Sequence, residues 1–237
     1  MNAAPMKASA ASASAAAACW SCGASPDSMH FCAACGKIQQ LPRGTDYFTL
    51  FGLPRRLRID GEDLERRFHQ LSWKLHPDNF VRASEKEREL SLALSSEVND
   101  AYRTLREPLS RMEYLLAHAG MRKEGAQKQQ APPELLEEVF ELNESLDELR
   151  DARASGGNAS QSSTVRMRLE AAAKDFESKL ADVDGELDQI ASEWDAALDS
   201  GAGEADQKAV METMNEVLNR RSYIRNLVNK VTEELAA

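Results

Sequence analysis

At 237 residues, 42% of them hydrophobic, the chain is long enough to bury the core of one or two domains plus a small module. Its 29% charged content with only 12 Gly and 8 Pro favours helices. No long alternating Val/Ile/Thr run announces a sheet beyond the N-terminal module, and no apolar run approaches the ~20 residues of a membrane span. The net charge of −10 is uneven: residues 1–82 carry 10 basic and 7 acidic side chains, residues 83–237 carry 19 and 32. Such an acidic bulk repels phosphates, which argues against a nucleic-acid partner.

Residues 1–18 are Ala/Ser-rich, with Lys7 the only charge. They lack the long apolar core of a secretory signal and the arginines of an organellar transit peptide. A disordered tail or a weak transit segment is expected. All four cysteines then fall within residues 19–40, as Cys19-x-x-Cys22-Gly23 and Cys32-x-x-Cys35-Gly36. A two-residue gap lets both thiolates reach one ion, and Gly after the second Cys lets the backbone curl so that amides face sulfur. Four thiolates predict a closed, tetrahedral, structural zinc site, with iron in a rubredoxin-like site as the rival metal and two disulfides as a weaker alternative. His30 reads as a loop residue. The module is too small for a core, so metal would supply most of its folding free energy, with Trp20 and Phe31 packing against the site.

Residues 46–53 (DYFTLFGL) predict a short helix closed by Gly52, with Pro54 blocking its continuation. Asp60, with Asp63 at the third helical position, opens a helix running to Leu75, whose apolar face is Leu64, Phe68, Leu71 and Leu75. Trp73 lies off that stripe and is expected to cover a neighbouring surface. His76-Pro77-Asp78 breaks the helix, because Pro77 fixes φ and drives His76 out of the α region. Phe80 and Val81 are expected to anchor the loop. Ser84 and Glu87 form a capping-box pattern at the start of a helix to about Arg106, facing its partner through Leu90, Leu94, Val98, Ala101 and Leu105. The result is an antiparallel helix pair with His, Pro and Asp at its tip. Basic residues surround the tip (Arg66, Arg67, Lys74 and Arg82 among them); they either steer it towards an acidic protein surface or, taken singly, form a solvated helix face. Pro108 opens a further helix to about Ala119, expected to dock on the pair through Leu109, Met112, Leu115 and Leu116.

Residues 121–133 form a polar linker. Residues 134–237 then hold three amphipathic patterns, at about 134–153, 164–199 and 204–235. They are separated by the Ser/Gly-rich run 155–163 and by Gly201 and Gly203. Coiled-coil spacing predicts an antiparallel three-helix bundle, with Gly185 interrupting the second helix. Leu136 and Phe140 lie off the first stripe. They either widen its core face or, if exposed together, form a docking patch rimmed by Glu141 and Glu144.

The tripeptide at 76–78, with DYFTLFGL (46–53) one helix upstream and NDAYRTL (99–105) one helix downstream, resembles a J-domain, here residues 45–120. Residues 108–111 (PLSR), 113–116 (EYLL) and 141–149 (ELNESLDEL) narrow the likeness to the HscB iron–sulfur cluster co-chaperones, and the tetracysteine module is similar to that of eukaryotic members. The resemblance implies an all-α chain whose J-domain stimulates ATP hydrolysis by a DnaK-type chaperone through His76, Pro77 and Asp78, with Arg66, Arg67 and Lys74 beside them. It implies a bundle that delivers an IscU-type scaffold protein, with Leu136, Phe140, Glu141, Glu144 and Tyr223 at the positions of the scaffold-binding surface. Glu137 stands where bacterial members tend to be apolar, which narrows that patch. The mitochondrial matrix is the implied compartment, with the cytoplasm as the alternative; self-association stays open.

The residues themselves offer no catalytic set. His69 and His118 stand alone on helices, no Ser or Cys is placed with a base, and no phosphate-binding loop exists. The alternative from another class is a metal-binding or redox protein acting through the Cys tetrad.

Overall fold

The computed structural model describes residues 18–25, 29–122, 132–154 and 159–236, the side chains of 159–161 excepted. The predicted tail 1–18, apart from its last residue, most of the linker 121–133 and the first four residues of the loop 155–163 lie outside these residues. Among the described residues the chain is all-helical, with no strand and one isolated antiparallel bridge between Phe31 and Ile38. Seven α-helices follow in order: α1 Tyr47–Leu50, α2 Gly61–Leu75, α3 Glu85–Arg106, α4 Pro108–His118, α5 Leu136–Ala154, α6 Ala159–Asp199 and α7 Glu204–Ala236. Among the described residues no helix is long and apolar enough to cross a membrane.

The chain divides into two compact units. The first takes Met1–Arg55 and Ile59–Glu107. Its helices begin where side chains cap them. Asp46 accepts from Thr49 N (2.8 Å), Asp60 accepts from Glu62 N (2.9 Å), and Ser84 and Glu87 complete the capping box of α3. Asp63 does not reach back to Asp60 as a box would require; it pairs instead with Arg66 and Arg67. Antiparallel α2 and α3 close over Leu64, Leu75, Leu94, Val98, Ala101 and Leu105, and Phe68 stacks on Tyr102 with ring centroids 4.1 Å apart. Ser91, not Leu90, is fully buried on α3, and its hydroxyl donates to Leu75 O (2.7 Å). Val81 is exposed and does not anchor the loop.

The second unit takes Arg56–Arg58 and Pro108–Ala237. Helices α5 and α6 run antiparallel, tied by Lys179 to Glu138 and Arg168 to Glu148. Helices α6 and α7 do likewise, tied by Arg220 to Glu186 and Arg221 to Asp184. The expected bundle core is present: Leu142, Leu146 and Leu149 of α5, Leu169, Phe176, Val183, Leu187, Ile190 and Trp194 of α6, and Met214, Val217, Ile224 and Val231 of α7 are buried. Helix α6 is 41 residues long and runs through Gly185 without interruption, because Val183 and Leu187 are packed on either side of it. It begins at Ala159, so the loop expected at 155–163 is shorter than predicted. Helix α4, expected to dock on the α2–α3 pair, belongs to this unit and packs on α7. Asp195, buried on α6, accepts from Leu57 N (2.8 Å) and Arg58 N (3.0 Å), and buried Arg111 of α4 donates to Leu57 O.

Candidate functional site

The tetracysteine module forms two turns of the same design. In each, the Gly after the second Cys takes a left-handed backbone, φ +74° at Gly23 and +69° at Gly36. Its N–H then donates to the carbonyl of the first Cys, 2.9 Å to Cys19 O and 2.8 Å to Cys32 O. The curl gathers all four Sγ atoms within 4.8 Å of one another, with Cys19–Cys35 and Cys22–Cys32 each at 3.7 Å. A disulfide would hold its sulfurs about 2.05 Å apart, so these are four free thiols. A regular tetrahedron of sulfurs about 2.3 Å from a central zinc has edges of about 3.8 Å; the set fits a metal ion with four thiolates and leaves no open position. Burial opposes ionisation of Cys19, yet N–H groups of Cys22 and Ser21 outweigh it and bring the thiol down to about 6. An Ala24 N–H favours the Cys22 thiolate, but the thiols of Cys35 and Cys19 push that group up to about 12. Four thiolates this close need a cation among them.

The module is seated on the first unit. Ile38 is fully buried and accepts from Trp20 Nε1 (2.7 Å), Lys86 Nζ lies 4.5 Å from the Trp20 ring centre, and Lys37 Nζ meets Glu87 Oε2 at 2.9 Å. His30 lies in the loop before Cys32, as expected, and is half-buried there; burial, with the charge of Lys74, holds its imidazole below the ordinary range. None of these seating contacts has a periodic signal in sequence; the Ser84–Glu87 box marked Glu87 only as a cap.

The tip stands where α2 ends. His76 takes φ −57° and ψ 131°, outside the helical region, as the following Pro requires. Pro77–Phe80 forms a 3-10 turn. The His76 side chain is 58% exposed and that of Asp78 84%. Their groups meet weakly, with Asp78 N donating to His76 Nδ1 at 3.3 Å. The frame beneath is tight: Ser91 and Ser95 hydroxyls both donate to Leu75 O (2.7 and 2.8 Å), and Asn79 Nδ2 donates to Trp73 O (2.6 Å). Trp73, expected to cover a surface, is 74% exposed. Arg66 and Lys74 are also exposed. Arg67 is committed inward: it donates to Asp63 (2.8 Å), Phe51 O (2.9 Å) and Gly52 O (3.2 Å), tying α1 to α2.

On α5, Leu136 and Phe140 are 55% and 71% exposed, with Glu141 and Glu144 exposed beside them. They therefore do not widen the core. Tyr223 is half-buried on α7, and burial raises its hydroxyl above the ordinary range. Arg220 lies 3.9 Å from Glu134, and Lys230 donates to Asn143 (2.7 Å). The stretch of α7 that carries Tyr223 therefore runs alongside the start of α5.

An exposed His-Pro-Asp turn on a helix pair, joined in one chain to a three-helix bundle, is the arrangement that the resemblance to a co-chaperone implies. The chain is 37% identical over 152 residues to the co-chaperone protein HscB homolog of Vibrio campbellii, covering 61% of this chain and 81% of that protein. It is 38% identical over 162 residues to the homolog of Vibrio cholerae serotype O1, covering 65% and 85%. The match to the Vibrio parahaemolyticus homolog, at 42% identity, spans 62% of that relative. The crystal structure of human co-chaperone protein HscB superposes with a TM-score of 0.61 at 28% identity, covering 92% of this chain and 98% of that one. No family model matches. The chain belongs to the HscB co-chaperone family, which is not a family of enzymes.

Proposed function

We infer that the protein is a co-chaperone of iron–sulfur cluster biogenesis with two working surfaces. His76, Pro77 and Asp78, with Arg66 and Lys74 near them, engage a DnaK-type chaperone and stimulate its ATP hydrolysis. Leu136, Phe140, Glu141 and Glu144 of α5, with Tyr223 of α7, hold an IscU-type scaffold protein and deliver it to that chaperone. The observation that carries this reading is the tip: a charged, exposed tripeptide on a hydrogen-bonded frame, in a chain with no catalytic constellation among its described residues. His76 and Asp78 offer an exposed polar pair, joined to each other only by long contacts of 3.3 and 3.6 Å, suited to charge-assisted bonds with a protein surface. Arg67 serves the fold and contributes to the chaperone surface indirectly, by fixing α1 against α2. Residues 45–120 act as the J-domain and 134–237 as the scaffold-binding bundle, with the matrix of mitochondria as the compartment.

The test is steady-state ATP hydrolysis by the cognate chaperone with and without this protein. Stimulation is expected, and His76→Gln should reduce it by tenfold or more. A folded wild-type protein that leaves the rate unchanged would sink the reading. The tetrad is assigned zinc. Elemental analysis should give one zinc per chain and no visible absorption; stoichiometric iron with a coloured, redox-active centre would favour a metal or redox role for the tetrad instead.

A further inference from the structure

The Cys tetrad and the tip share one supporting element, the N-terminal half of α3. From the metal side, Cys32 N donates to Lys37 O (2.9 Å), which fixes Lys37 to the second knuckle. Lys37 Nζ then donates to Glu87 Oε2 (2.9 Å), whose side chain is 6% exposed. The same Oε2 accepts from Ser84 Oγ (2.8 Å) and Ser84 N (3.2 Å), so one carboxylate oxygen serves both the module and the cap of α3. Lys86, one residue earlier, covers Trp20. From the tip side, Ser91 and Ser95, one and two turns further along α3, hold Leu75 O, the carbonyl that precedes His76. Ala83 N donates to Phe80 O (2.9 Å) and links the cap to the 3-10 turn.

We propose that metal binding at Cys19, Cys22, Cys32 and Cys35 sets the order of the α3 N-terminus and, through it, of the His76-Pro77-Asp78 tip. The module has no core of its own, and its fold depends on the ion. Without metal the knuckle no longer holds Lys37. Glu87 is then a nearly buried carboxylate without its cation, a state relieved only by opening the first turn of α3. The module thereby becomes a metal-dependent brace on the tip, while the bundle of the second unit is untouched.

Amide exchange by mass spectrometry on the full chain tests this without any chaperone, so its outcome is independent of the functional reading above. Metal is stripped with a chelator under reducing conditions and its loss is checked by elemental analysis. Exchange in residues 77–91 should quicken by about tenfold, the order expected when one charge-assisted hydrogen bond is lost. Residues in α6 and α7 should not change, and Zn2+ alone should restore protection. Lys37→Met, with the tetrad loaded, should reproduce the quickening in residues 84–91. Unchanged exchange in the stripped protein would overturn the proposal. So would quickening that extends through α6 and α7, or wild-type protection in metal-loaded Lys37→Met.

Discussion

Asp46 accepts four hydrogen bonds, from Thr49 N (2.8 Å), Thr49 Oγ1 (3.0 Å) and two nitrogens of Arg55 (2.6 and 3.0 Å). Burial opposes its charge, but these donors overcome burial and hold the carboxyl below the ordinary carboxylate value of 3.8. A depressed folded pKa contributes stability that is fully present above the unfolded value and is lost as pH falls through the folded one. Asp46→Asn should therefore lower stability by about 1 kcal/mol at pH 7. In thermal melts the gap from wild type should begin to narrow as pH drops below about 4, where the unfolded carboxyl takes up its proton, and should close only as pH falls through the depressed native value. A gap that stays constant to pH 2 would show that the charge is not what stabilises α1. In sequence Asp46 was legible only as the residue before a short helix; its pairing with Arg55 was not, because the intervening turn has no period. Arg67 shows the same gap from the other side. Composition placed it in a basic patch, while its geometry spends it on the carbonyls of Phe51 and Gly52.

Elements were easier to read than contacts. Every helix α1 to α7 was anticipated, because apolar spacing, caps and the Pro-Asp break are local signals. Asp60, Ser84 and Pro108 open the helices they were expected to open. Boundaries failed where composition misled: the Ser-rich run suggested loop up to 163, yet α6 begins at Ala159. Gly185 suggested a break, yet tertiary packing on both sides carries the helix through. Gly185 is exposed, and a Cβ built there meets nothing within 4 Å. Gly185→Ala should accordingly raise stability by about 1 kcal/mol in denaturant titration. Destabilisation would mean that the helix needs the glycine for a bend. The seat of α4 on α7 was not legible, because its apolar residues said that it docks but did not point to α7.

For the molecule as a whole, the four knuckle thiols, the tip and the α5 patch were all visible in sequence, the first two from spacing and turn chemistry. The patch was ambiguous, since a residue 100° off a stripe can widen a core or face solvent. Exposure of Leu136 and Phe140 decides it. What no pattern could supply were the joins: Lys37 to Glu87 and Asp195 with Leu57, each linking residues far apart in the chain, and the half-burial of His30. With one proposed surface in each unit, the two should be separable. Phe140→Ala should weaken scaffold affinity by about tenfold, as loss of an aromatic anchor does. Basal stimulation of the chaperone should be unchanged, and His76→Gln should do the reverse. Effects of the double variant on binding should add, since sites without shared partners do not couple. Loss of basal stimulation in a folded Phe140→Ala protein would show that the surfaces are not independent.

The two serine hydroxyls on Leu75 O have a thermodynamic consequence. A turn held by bonds to the neighbouring helix has already lost its conformational entropy before any partner arrives. Docking of the tip should then be a rigid-surface event, with a small heat-capacity change set by the area covered and no folding contribution. Replacing Ser91 and Ser95 by Ala would return that entropy to the free state, and the same chaperone surface would be met at a higher entropic cost.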